Sequence, residues 1–181
     1  IRLKELTVPR LHLSSLPHDF KLKQTGSKKD TFVRVMLPLI LEVNKNVSRE
    51  RQLLLALKDR MTKVRNLQAY EFEWIESMAE KYRVNSTDIN DLLHKVDVIP
   101  PSLALAQASL ESGWLMSAAA RLKNSTFGHM ANKKDVEGFE SLYANVEAYI
   151  LNLNRHNAYR DLRKLRADMR QSGKDVCSET L

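Results

Sequence analysis

The sequence predicts a mainly α fold interrupted by one irregular insert. Three observations carry this. Only 5 Gly and 5 Pro occur in 181 residues, and no Gly/Ser-rich or Pro-rich stretch breaks the chain. Apolar residues recur at three- and four-residue spacing in successive blocks, the period of an amphipathic helix. A single block, residues 124–142, lacks that period. With 43% hydrophobic and 28% charged residues the composition is that of an ordinary globular chain, long enough to bury a real core.

Residues 1–29, with Pro9 and Pro17 and the basic Gly-Ser-Lys-Lys run at 26–29, read as an extended N-terminal arm. Asp30 is the expected N-cap of a helix from Thr31 to about Asn46, with Phe32, Val35, Met36, Leu39, Ile40 and Val43 on its core side. Pro38 lies inside it and is expected to kink or interrupt it. Ser48 opens a second helix to about Asn66, with Leu53, Leu54, Leu57, Met61 and Val64 inward. A third covers Gln68 to Tyr82, with Phe72, Ile75, Met78 and Ala79 as its core face. Ser86 or Thr87 caps a short fourth helix carrying Leu92, Leu93 and Val96. Pro100 and Pro101 stop the chain and start a fifth, because proline suits the first helical turn. That helix runs to about Gly113, a sixth spans Ser117 to Lys123, and two more cover Tyr143 to Leu153 and Ala158 to Gln171.

Lys plus Arg exceed Asp plus Glu by 29 to 22, a formal charge of +7. Such a balance attracts polyanions of any kind, whether nucleic acid, anionic membrane or acidic wall polymer. No RNA-binding aromatic signature, zinc-finger spacing or basic heptad region is present, so nucleic acid is not expected as a partner. No apolar run of about 18 residues exists to span a membrane. The sequence opens at Ile1 without a signal segment. Cys177 is the single cysteine, read as an inert residue near a helix end or one whose partner lies outside this sequence. His129 and His156 lack metal-ligand spacing, so no metal and no cofactor is expected.

The segment Ser102 to Trp114, S-L-A-L-A-Q-A-S-L-E-S-G-W, carries the most chemistry. On a helix Glu111 shares a face with Ala104, Gln107, Ala108 and Trp114. Small neighbours leave room for a ligand. Apolar ones withdraw water and disfavour the charged carboxyl, as the acid of a glycosidase requires. Gly113 costs a helix about 1 kcal/mol relative to Ala, so it marks either the helix end or a close backbone approach by a ligand. Trp114 offers a face on which a sugar ring can stack.

Val98 to Met130, V-I-P-P-S-L-A-L-A-Q-A-S-L-E-S-G-W-L-M-S-A-A-A-R-L-K-N-S-T-F-G-H-M, resembles the core motif of the glucosaminidase domain of family 73 glycoside hydrolases. Within that family it is most similar to the Bax-type bacterial subgroup. V-P-R at 8–10, K-K-D-T-F-x-x-x-x-L-P-L-I-L at 28–41 and Y-I-L-N-L-N-R-H-N-A-Y-R-D-L-R at 149–163 extend the resemblance over most of the chain. It implies a mainly α, α+β lysozyme-like fold, a helical domain whose small, reduced or incomplete β lobe flanks the active-site groove. Residues 30–181 then form one glucosaminidase-like domain, with N-terminal helices at 30–97 and the catalytic core at 98–181.

By position the resemblance makes Glu111 the essential acid and places Tyr159 in the cleft as a second catalytic group. Gln107, Ser112, Trp114, Asn124, Phe127 and Gly128 become substrate-binding residues, the last three from the element that shapes the groove beside the glutamate. Leu115 and Met116 stand where the family usually has Gly-Thr, Ser125 replaces an Asn, and the insert at 129–140 is short beside relatives. The implied reaction is hydrolysis of the β-1,4 bond after N-acetylglucosamine in peptidoglycan glycan strands, an endo-β-N-acetylglucosaminidase activity. The implied protein is a monomer of the bacterial cell envelope, periplasmic or exported. The second catalytic group stays open. Asp135, Glu137 and Glu140 lie nearest the insert, while the acetamido oxygen of the substrate supplies a route needing no second carboxylate. The alternatives are a catalytically weak or inactive wall-binding module of the same fold, and a basic helical nucleic-acid binder.

Overall fold

The computed structural model describes residues 13–17, 25–64, 67–132 and 134–176. Most of the N-terminal arm, including Pro9, and Cys177 lie outside these residues. The fold is mainly α: α1 Thr25–Val64, α2 Ala69–Tyr82, α3 Ile89–Lys95, α4 Pro101–Ser112, α5 Ala118–Lys123, α6 Leu142–Arg155 and α7 Arg160–Gln171, with a 3-10 turn at Asn157–Tyr159. The β content of the described residues is one antiparallel bridge, Met130 to Val136. Among its described residues the insert is therefore irregular apart from that bridge.

The largest departure from the sequence reading is α1, where the two helices expected on either side of Asn46 are one helix of 40 residues. Pro38 lies inside it without ending it. A proline there removes one backbone hydrogen bond. The loss is offset because Met36, Leu39, Ile40, Val43 and Val47 form a continuous buried stripe across the site. Asp30 falls inside the helix and does not cap it. Leu53, Met61 and Phe72, expected inward, are exposed, because Leu54 and Ile75 already occupy the buried faces of their helices. The cap of α3 is Asp88, whose carboxylate accepts from the Asn90 N–H at 2.8 Å, one or two residues later than expected.

Two compact units emerge, one from residues 1–43 and 100–149 and the other from 44–99 and 150–181. The first holds α4, α5 and the insert. Its core includes Phe32, Met36, Ala104, Ala108, Leu115, Leu142 and Val146. The second is built around α2, α3 and α7, with Leu54, Ile75, Leu92, Val96 and Ile99 buried. Asn44 fixes its start, donating to the Ile99 carbonyl at 2.7 Å and accepting from the Ile99 N–H at 2.9 Å.

Candidate active site

Glu111 sits in the last turn of α4, whose first helical residue is Pro101. Gly113 takes the left-handed conformation at φ +56 and ends the helix. A Cβ there would meet nothing within 4 Å, so the turn needs this glycine for its backbone and not for space. Trp114 and Leu115 follow at φ +62 and +68, making three consecutive left-handed residues directly after Ser112. For side-chain-bearing residues that conformation costs about 1–2 kcal/mol each. Buried contacts hold it. Leu115 has no exposed surface, and the Ser112 hydroxyl accepts from the Leu115 N–H at 2.9 Å while donating to the Ala108 carbonyl at 2.6 Å.

That bonding corrects one sequence expectation. Ser112 is fully buried and its hydroxyl is spent on the turn, so its placement offers no surface to a substrate. A second correction concerns Glu111 itself. The small residues Ala104 and Ala108 pack into the core, but the Glu111 carboxyl is exposed to solvent rather than held in a water-poor pocket. The apolar neighbours lie on the buried side of α4, and the carboxyl lies one step around from them. Gln107 meets it as the i,i+4 spacing predicts, its side-chain amide donating to Oε1 at 3.2 Å.

Gly128 is the contact that joins the two halves of the motif. It is left-handed at φ +67, and a Cβ built on it would lie 2.7 Å from Glu111 Oε2 and 3.2 Å from Cδ. With the carboxyl in this position, only bare backbone fits beside it. The preceding residues are anchored by Asn145, fully buried, whose side-chain oxygen accepts from the Thr126 N–H at 2.8 Å and from the Thr126 hydroxyl at 2.6 Å. Phe127 is almost wholly buried and stacks on Tyr149 with ring centroids 3.9 Å apart and planes 7° from parallel. It therefore acts as the floor beneath Gly128 and presents little surface to a ligand.

Asn124 caps α5 in the left-handed region. Its amide donates to the Phe139 carbonyl at 3.0 Å and the Ser15 hydroxyl at 3.3 Å, tying the far end of the insert and the described part of the N-terminal arm to the end of α5. Trp114 is half-buried, edge-on to Phe32 at 5.2 Å, with the Lys29 ammonium 5.3 Å from its ring centroid. Sequence reasoning missed Lys29, Phe32 and Asn145. Nothing local marks Asn145, and the first two are 80 or more positions distant from Trp114 in the chain. His129 is half-buried, and burial holds its imidazole below the ordinary value, opposed by Glu137.

Of the three carboxylates near the insert, Asp135 pairs with Lys123 at 2.6 Å. The hydrogen bond and charge of that ammonium hold its carboxyl below the usual carboxylate range. Glu137 and Glu140 are exposed. Tyr159 belongs to the second unit, half-buried at the end of the 3-10 turn, with the His156 ring 6.2 Å away in an edge contact. Among the described residues no three His, Cys, Asp or Glu side chains cluster as a metal would need, and no helix is long and apolar enough to cross a membrane.

The fold is thus a mainly α chain in which an exposed helix-end glutamate meets a left-handed glycine from a separate motif. Residues 86–178 match the family Glucosaminidase, described as mannosyl-glycoprotein endo-beta-N-acetylglucosaminidase, and the chain belongs to that family. It is 31% identical over 191 residues to Protein bax of Escherichia coli (strain K12), a match covering 93% of this chain and 66% of that protein. The chain thus spans just under two thirds of the length of this curated relative. No solved structure matches.

Proposed function

We propose that the protein hydrolyses the β-1,4 bond after N-acetylglucosamine in peptidoglycan glycan strands, with Glu111 protonating the leaving oxygen. One observation carries the reading: the bare backbone of Gly128 abuts the Glu111 carboxyl. The lack of a Cβ there keeps a side chain from crowding the carboxyl, whose exposed side a glycosidic oxygen can approach. Gln107 steadies the group from within α4. Trp114 offers the aromatic face for a sugar ring. Asn124 and Phe127 act by holding the backbone that carries Gly128.

For the second half of the reaction we favour attack by the substrate's own acetamido oxygen on its anomeric carbon. Asp135, tied to Lys123, is poorly disposed to serve as a free nucleophile or base. Tyr159 then orients the acetamido group or stabilises developing charge. On this reading residues 30–181 are the glucosaminidase-like region, of which 86–178 match the family. The protein acts as a monomer in the bacterial cell envelope, periplasmic or exported, without nucleic acid as partner.

The test is Glu111→Gln, which keeps side-chain volume but cannot donate an acidic proton. Clearing in a zymogram of purified peptidoglycan is expected to vanish while the folded far-ultraviolet circular dichroism signal is retained. New reducing ends made by the unsubstituted protein should be N-acetylglucosamine. Undiminished clearing by the variant, or muramic acid at the new ends, refutes the assignment. A second reading, a wall-binding module with weak or no catalysis, is favoured by the single bridge left in the insert. It predicts wall binding by the unsubstituted chain without any new reducing ends.

A further inference from the structure

The second unit contains a cavity of about 330 Å³ that the glycosidase reading does not use. Its wall includes Arg51 from α1, Asn90 and His94 from α3, Arg166 and Arg170 from α7, and Lys58 at the rim. Four of these six side chains are permanent cations. The one carboxylate on the wall is Asp97, and it is already committed. Asp97 receives two hydrogen bonds from Arg170, at 3.1 and 2.8 Å, a third from the Val98 N–H at 2.8 Å, and lies 3.6 Å from Arg51.

Arg166 is the informative member, because it is 99% buried and no carboxylate lies within ion-pair distance of it among the described residues. Its Nη1 donates to the carbonyls of Asp97 and Val98 and to the Asn154 side-chain oxygen, all neutral acceptors, at 3.1, 3.0 and 2.7 Å. Its Nε has no partner at all. A guanidinium buried without a directly paired counter-charge is costly. Burial pushes Arg166 down to about 10, opposed by the nearby charge of Asp97 and reinforced by Arg163, Arg51 and Arg170. The same positive field registers at His94, held below its ordinary value first by burial and then by Arg163 and Arg166, with Asp91 opposing and Lys95 adding to it. Lys58 is exposed and pairs with no carboxylate among the described residues.

We infer that this cavity is a binding site for a small oxyanion, a phosphate or carboxylate group, whose charge completes the neutralisation that Asp97 leaves unfinished. The cavity volume is at the low end of small-molecule sites, which start near about 300 Å³, so the ligand is a compact polyanion rather than a chain segment. Lys58 closes over the anion from the rim, the Asn90 and Gln171 amides lie on the wall as neutral donors, and His94 gains a proton as the anion enters. The charges of Arg51, Arg166 and Arg170 supply the field.

The experiment titrates the full chain at fixed ionic strength with inorganic phosphate in one arm and citrate in the other, by calorimetry. A parallel nuclear magnetic resonance titration follows the His94 ring. Saturable binding in either arm is expected, and the arm that binds more tightly tells a phosphate site from a carboxylate site. Lys58→Glu should weaken it by about tenfold or more, since one reversed charge at the rim opposes the ligand directly. Lys164→Glu, an equal charge change on the exposed side of α7, should leave it unaltered. The His94 titration midpoint should move up when the anion is bound. Absence of saturable binding in both arms overturns the inference. Equal weakening by the two variants, or a His94 midpoint that stays put under saturation, does so as well.

Discussion

Substituting alanine for Gly128 separates backbone strain from catalytic positioning. The added Cβ would stand 2.7 Å from Glu111 Oε2 and 3.2 Å from Cδ, well inside contact distance. The clashing atoms are the far end of a flexible side chain, so the chain can relieve the overlap by swinging the carboxyl aside. The folding cost therefore comes chiefly from placing alanine at φ +67, about 1–2 kcal/mol. The catalytic cost comes from the displacement itself. Moving a reacting group by about 1 Å lowers rates on the order of a hundredfold. Gly113→Ala supplies the control, because it has a similar φ of +56 but nothing within 4 Å of the new Cβ. Both variants should lose similar stability in urea denaturation. Only Gly128→Ala should lose peptidoglycan clearing on the order of a hundredfold in a turbidity assay. Equal activity in the two variants would show that Gly128 does not position Glu111.

Two further outcomes follow from the charge arrangement. Asp97→Asn removes the buried carboxylate shared by Arg51 and Arg170, and should cost about 3 kcal/mol in urea denaturation, the low end for a broken buried pair because Arg170 keeps partial access to water. His129 is held below its ordinary value of 6.5 by burial, so near and below that value the unfolded chain binds the proton more readily than the folded one. Its contribution to stability is therefore full above 6.5 and shrinks as pH falls, and His129→Gln should flatten the fall in urea midpoint between about pH 7.5 and about pH 5.5.

Local chemistry made some of this structure legible in the sequence. Pro101 at the start of α4, Gly113 at its end and Ser117 capping α5 each act through their own backbone, and each sits where the residue type demands. Long-range packing was not legible. Pro38 should break a helix on local grounds, but the buried stripe from Met36 to Val47 overrides it. Leu53 and Phe72 have helical spacing compatible with a core face, yet which of two adjacent stripes turns inward depends on partners distant in sequence. The site divides in the same way. Gln107 beside Glu111 follows from i,i+4 spacing. Gly128 against the same carboxyl, 17 residues later, needed the resemblance to suggest it and the structure to give its distance. The Ser112 hydroxyl, read as substrate-facing, is bonded to the turn's own backbone, as a hydroxyl in a last helical turn readily is.

The exposure of Glu111 changes where the water-poor setting of a leaving-group acid has to come from. Among the described residues the carboxyl is bonded by Gln107 and flanked by Gly128, and its residue is exposed to solvent. On the proposed reading the glycan itself covers the carboxyl, so desolvation arrives with the substrate. That mechanism demands a backbone that does not yield when the sugar presses on it. The three left-handed residues after Ser112 meet the demand at a cost. Leu115 at φ +68 is strained by about 1–2 kcal/mol, and its complete burial contributes about 2 kcal/mol in return. A glycine at this position would relieve the strain but remove the side chain that anchors the turn to the core. Here the anchor is kept and the strain accepted. The result is a fixed turn beneath Trp114 and an open carboxyl beside it, which suits a site completed by its ligand.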